Sequence, residues 1–303
     1  MIQKLWPILS LILPALALPI SPAGADRAVS VDIAARFQAL SAKDLHFVKS
    51  IPLGIGPFPT YHPQGAKILN HKLYLTSVRA GHSGYLTEYA LSEDEALPLR
   101  QVRFENSEQQ QILTPNLEHA GGLDGNEQGL YIPLAAYRSR GPAKILKVDP
   151  FTLDVSVVGA INDHIGALIR DAASNRFWFW NWSANDVYSV DESMTISDRQ
   201  PNPSRWQYQD CKSVAPLEAL CSAKKGLLWP KGEIQLIRFN GKDQASFTVL
   251  HRVSVPHLQP DGRPGGRRPL TYNAMDVEAT EHGLRFYFVP HDGVQSHLIV
   301  LEN

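Results

Sequence analysis

Three histidines of this chain stand in matching contexts. His62-Pro63-Gln64-Gly65, His119-Ala120-Gly121-Gly122 and His164-Ile165-Gly166-Ala167 each place an imidazole just before small residues, at the head of a hydrophobic stretch. Asn273-Ala274-Met275-Asp276 repeats the arrangement with an amide in place of the ring. Neutral imidazole suits zinc, copper, iron or nickel, so three such rings aimed at one point fit a single divalent ion, zinc first, with one position open for water or substrate. A water bound there has a lowered pKa and serves as nucleophile or base. The other reading is that the rings hydrogen-bond to backbone or water and fill the space between them. Spacing leaves both open.

Further polar groups fall at equivalent places in the repeats. Arg79, Arg138 and Arg140 offer guanidinium groups, which favour carboxylate or phosphate, so the ligand expected is a small anionic molecule. Tyr137 and Asp210 are the candidates for moving protons, and Arg79, Arg138, Asn273 and His291 those for holding substrate. Glu118 and Asp163 directly precede histidines and are candidate partners behind them, although neighbours on a strand point to opposite sides. With 29 Lys and Arg against 30 Asp and Glu, the chain gives no electrostatic reason to expect nucleic acid or an anionic membrane. A monomer is expected.

To gather these residues the chain must repeat a structural unit. An aromatic-rich strand follows each opening, at Lys72-Leu73-Tyr74-Leu75, Gly129-Leu130-Tyr131-Ile132, Asn175-Arg176-Phe177-Trp178 and Gly283-Leu284-Arg285-Phe286-Tyr287. Such self-similarity marks a repeat architecture. Turn residues divide the units into strands at 62–69, 72–78, 84–91 and 98–104; at 119–124, 129–134, 143–149 and 153–160; at 164–170, 176–181, 186–191 and 194–198; and at 209–215, 218–222, 233–239 and 246–255. The last unit has three strands, at 274–279, 284–290 and 296–302, while a spare strand stands at 44–52. Pairing the two ends closes a ring and removes the exposed sheet edges. The expectation is all-β: a five-bladed β-propeller over 44–303. A six-bladed ring would need a blade hidden in 200–210 or 256–272.

Before the ring, apolar residues at Val29, Ile33, Phe37 and Leu40 have helical spacing, which predicts a short helix and linker over 26–43. Residues 1–25 read as a signal peptide: Lys4, an apolar run from Leu5 to Ile20, then the small residues Ala23-Gly24-Ala25. A membrane anchor is the other reading, but the run is shorter than the roughly 20 residues a span needs and contains Pro7, Pro14 and Pro19. The protein is therefore expected in the periplasm or outside the cell, with no membrane association after cleavage. In that setting Cys211 and Cys221, ten residues apart where two strands of a hairpin lie side by side, are expected to form a disulfide.

The histidine motifs, with Leu123-Asp124, Asp163, the hairpin from Gln209-Asp210-Cys211 to Leu220-Cys221-Ser222 and Asn273-Ala274-Met275-Asp276, resemble an uncharacterised family of exported propeller proteins known only as a domain of unknown function. The likeness covers nearly all of the mature chain and implies the fold without an activity. A looser similarity, in architecture and histidine placement, runs to propeller lyases and lactonases, including amidating lyases that hold zinc with channel histidines and the virginiamycin-type lyases. It would extend only to His62, His119 and His164 as ligands, since the fourth and fifth units depart with Asp210 and Asn273. Two functions follow as expectations: a metal-assisted hydrolase or lyase acting on a small molecule, or a non-catalytic propeller that binds a ligand or a protein.

Overall fold

The computed structural model describes residues 32–53, 56–104 and 117–303. The expected signal peptide and the Val29 end of the expected helix lie outside these residues.

The repeats fold into five antiparallel sheets set as blades around an axis. Blade 1 holds β2 (His62–Leu69), β3 (Lys72–Arg79), β4 (Ser83–Leu91) and β5 (Ala96–Arg103). Blade 2 holds β6 (His119–Ala120), β7 (Asp124–Asn126), β8 (Gly129–Ala135), β9 (Ala143–Val148) and β10 (Val155–Ile161). Blade 3 is β11 (Ile165–Asp171) to β14 (Ile196–Pro201), with β12 (Arg176–Asn181) and β13 (Asp186–Asp191) between. Blade 4 is β15 (Gln207–Ala215), β16 (Glu218–Lys225), β17 (Lys231–Phe239) and β18 (Phe247–Ser254). Blade 5 takes β19 (Ala274–Ala279), β20 (Leu284–Val289) and β21 (His297–Glu302), and its outer strand is β1 (His46–Pro52), paired from His46↔Glu302 to Pro52↔His297. The ring thus closes through the two ends of the chain. Among the described residues, 256–272 carries one isolated bridge, Leu258↔Pro264, and no sixth blade.

A blade is covered on both faces by its neighbours, so its middle strands read as continuous apolar runs instead of alternating ones. On β12, Trp178 and Trp180 pack toward Phe239 and Phe247 of blade 4, while Phe177 and Phe179 pack with Ala135 and Ile145 of blade 2. Trp178 stacks on Phe239 with ring centroids 4.0 Å apart. The short helix α1 (Ile33–Gln38) is capped by Asp32, whose carboxylate accepts the Ala35 N–H, and it seats Phe37 among core residues of blades 4 and 5.

Near the axis the packing needs backbone without side chains. A Cβ on Gly121 would lie 2.2 Å from the Gly166 carbonyl oxygen, and Gly122 N–H donates to that same oxygen at 2.9 Å. Blade 2 therefore bonds to blade 3 at this point and interrupts its own ladder. The single strand expected at 119–124 becomes two short ones for that reason.

Carboxylates pin the blades together from inside. Asp124 accepts from Arg170 N–H of blade 3 and Ser213 N–H of blade 4. Asp210 accepts from Ala66 N–H of blade 1 and Met275 N–H of blade 5, at 2.9 and 3.0 Å. Asp276 accepts from Ile68 N–H of blade 1. Lys212 and Lys67 supply the compensating charge: Lys212 Nζ lies 2.5 Å from Asp210, and Lys67 lies between Asp276 and Asp124. Burial works against the Lys67 charge, but Asp276 and Asp124 outweigh it and hold the amine above its ordinary range.

Cys211 and Cys221 form a disulfide between directly opposed residues of β15 and β16, buried within blade 4.

Candidate functional site

Alternation of strand direction brings the head of each innermost strand and the loop between second and third strands to one face of the ring. A cavity of about 200 Å³ opens there, lined by His62, His119 and His164 together with Tyr137, Trp182 and Lys224. The sequence motif thus brings its three imidazoles to one place.

Their hydrogen bonds settle which nitrogens carry protons. His164 Nδ1 lies 2.7 Å from the Ala136 carbonyl oxygen, which only accepts, so the proton is on Nδ1 and the lone pair on Nε2. That lone pair faces His119 Nδ1 at 3.1 Å, so His119 donates from Nδ1 and presents an unprotonated Nε2. No described residue bonds to that nitrogen. Burial, with His164 and His62 nearby, holds the His119 pKa well below the ordinary imidazole range, and burial lowers that of His164 as well. Both rings are neutral at neutral pH.

His62 is held differently. Its Nδ1 donates to Asp292 at 2.8 Å, a partner that only accepts when ionised. Arg268 donates to the other oxygen of Asp292 at 2.8 Å, and Asn273 Nδ2 reaches the carboxylate at 3.4 Å. Burial opposes the Asp292 charge, but His62 and Arg268 outweigh it and keep the carboxyl below its ordinary range. Asn273, expected to hold substrate, therefore steadies the carboxylate behind His62.

The two sides of the cavity differ in character. One is aromatic: His119, Tyr137, His164 and Trp182 form a contiguous cluster with centroids 4.5 to 6.1 Å apart. The other is cationic. Lys224 Nζ sits 4.0 Å over the Tyr272 ring beside Arg268, and burial followed by the Arg268 charge pushes its pKa down to about 8.

Several expected site residues lie elsewhere. Asp210 is fully buried on the axis as an inter-blade pin, and the neighbouring Gln207 and Gln209 line the cavity instead. Arg79 and Arg138 are exposed on rim loops outside the lining, Arg79 lying over the Tyr61 ring. His291 borders a separate cavity of about 460 Å³ shared with Arg268 and Asp292. Asp163 accepts from Tyr188, Asn181 and the His164 backbone N–H, and leaves the imidazole to Ala136. Among the described residues no group of three or more His, Cys, Asp or Glu side chains is placed to share one ion. Lys224 and the His62–Asp292 pair were missed as a site. Lys224 ends a strand beside the loop between β16 and β17, whereas the pairing of His62 with Asp292 depends on blade 5 lying beside blade 1.

Residues 39–303 match the profile of a family of unknown function, DUF6454. No curated protein matches the chain. Among solved structures, a hypothetical protein from Leishmania major aligns at 10% identity and a TM-score of 0.51, over 85% of this chain and 91% of that one. A GH43 endo-arabinanase from Bacillus licheniformis aligns at 10% identity and 0.46, over 80% and 94%. A DUF4623 family protein from Bacteroides eggerthii gives 13% identity and 0.46 over 80% of this chain, which spans 58% of that protein's length. At such identities the likeness concerns the fold alone.

Proposed function

The chain belongs to the DUF6454 family, whose function is unknown, and we propose that its histidine-lined mouth is the active site of a hydrolase or lyase acting on a small anionic molecule. The observation that carries this reading is the hydrogen-bond chain from Ala136 through His164 to His119, which leaves a neutral imidazole with an open lone pair in a cavity. A base that is unprotonated at neutral pH and fixed in one tautomer is what proton abstraction or activation of water requires. His62, oriented by Asp292, turns a second imidazole to the same cavity, and the phenol of Tyr137 stands beside His119 as a proton donor.

Substrate size and charge follow from the walls. At about 200 Å³ the cavity is smaller than the roughly 300–1,000 Å³ of sites for drug-sized ligands. Lys224 favours a carboxylate or phosphate on one side, while Trp182 and Tyr137 favour a flat or apolar part on the other.

A divalent ion, zinc first, is the second arm of the same proposal. It would need His62, His119 and His164 to turn their lone pairs to one point, and His119 and His164 would give up the bond between them. Metal analysis of the purified protein separates the arms: a stoichiometric ion lost on His119→Ala supports the metal arm, and metal-free protein with activity supports the imidazole arm. Isotope-edited histidine NMR tests the reading without a substrate. An unprotonated Nε2 on His119 at neutral pH is the expected result; a His119 that titrates like a free imidazole overturns the imidazole arm. Turnover of small carboxylated esters and lactones should fall roughly 100-fold or more in His119→Gln. A non-catalytic binding site, the remaining alternative, predicts ligand affinity with no turnover in either protein.

A further inference from the structure

The hairpin loop between β16 and β17 carries three large apolar side chains with almost no cover. Leu227, Leu228 and Trp229 are 94%, 85% and 83% exposed. Single exposed hydrophobics are ordinary, but three in succession at the tip of a loop are not. The base of the loop carries Lys224, which lines the mouth cavity, so the tip stands on the rim of the same face. Val294, 86% exposed, lies in the equivalent loop of blade 5, and half-exposed Tyr137 in that of blade 2.

The two charges that flank the tip are both positive. Lys225 and Lys231 face each other across the last rung of the hairpin, and both are exposed. Like charges directly opposed across a strand pair repel, an arrangement that an external anion relieves. Arg79, Arg138 and Arg140 are exposed on the same face in blades 1 and 2, across the ring from this loop. The near-neutral total of the chain does not exclude such a local pair, because a net charge carries no information about position.

We propose that this loop seats the mouth face on an anionic lipid surface, with Leu227, Leu228 and Trp229 entering the boundary between headgroups and acyl chains and Lys225 and Lys231 pairing with the headgroups. The parts match what such a boundary selects: Trp at the interface, Leu below it and Lys at headgroup level. The charge complementarity of the flanking lysines is what favours a lipid surface over a second copy of this chain, whose own loop would present the same lysine pair.

The test is sedimentation of the mature protein with vesicles of phosphatidylcholine alone and of phosphatidylcholine mixed with phosphatidylglycerol. Binding to the anionic vesicles that weakens as salt rises is expected, with a blue-shifted emission that disappears in Trp229→Phe. The triple variant Leu227→Ser, Leu228→Ser, Trp229→Ser and the pair Lys225→Glu, Lys231→Glu should each lose roughly tenfold or more in partitioning. These side chains lie outside the core, so unchanged circular dichroism and melting temperature will certify the fold. No binding to anionic vesicles, or equal binding by wild type and the triple variant, overturns the proposal. So does light scattering that shows a wild-type dimer converted to monomer by the triple variant, which would make a second copy the occupant.

Discussion

Asp210→Ala should loosen the ring at its centre. The carboxylate receives N–H groups from blades 1 and 5 on one oxygen and the Lys212 ammonium on the other, so its removal leaves two buried N–H groups without an acceptor and a buried ammonium with only the Leu123 carbonyl. Breaking a buried ion pair from one side costs about 3–5 kcal/mol, and a buried N–H left without an acceptor costs about 1–3 kcal/mol. The contributions overlap because the same relaxation serves all three donors, and about 5 kcal/mol is the expected total. That is comparable with the whole stability of a typical domain, about 5–15 kcal/mol. Urea unfolding followed by tryptophan fluorescence measures it. Because the single variant can fail to fold, Asp210→Ala combined with Lys212→Met provides the decisive comparison: removing the stranded ammonium should recover about 2 kcal/mol of what the single variant loses. A single variant within about 1 kcal/mol of wild type, or a double variant no more stable than the single one, refutes the pin.

Removing both cysteines, Cys211→Ala with Cys221→Ala, should lower stability by about 3 kcal/mol for the loop of ten residues that the disulfide closes, measured by the same unfolding curves. Gly121→Ala drives a methyl group onto the Gly166 carbonyl and should cost about 3 kcal/mol, visible as a lowered melting temperature. Stability should depend on pH through His119 and His164. Their folded-state pKa values lie below the ordinary 6.5, so the unfolded chain binds the extra protons, and the contribution is whole above 6.5 and declines as pH falls below it. Melting temperatures from pH 8 to pH 5 should show that decline, and His119→Gln with His164→Gln should flatten it.

How much of this was legible beforehand depends on the distance over which each feature is decided. Blade boundaries were readable because turn residues and apolar runs are local: the strand at 176–181 is β12 to the residue, and the spare strand at 44–52 is β1, seated against β21. The disulfide was readable because a hairpin fixes the pairing of residues ten apart. The break in the inner strand of blade 2 was not, since it depends on a carbonyl from blade 3.

Sequence by itself thus determined a ring of five blades with three imidazoles at its mouth, through periodicity and strand direction alone. Only the tertiary structure decided what each polar group does there. Asp210 and Gln209 are neighbours in the chain, yet one is buried among backbone donors from blades 1 and 5 and the other faces the cavity, at a bulge that breaks the β15–β16 register between Tyr208 and Asp210. The proton positions on His119 and His164 follow from one carbonyl of blade 2, Ala136, which the His164 ring reaches from blade 3. Hydrogen-bond partners are set by the closing of the ring, and no local pattern encodes them.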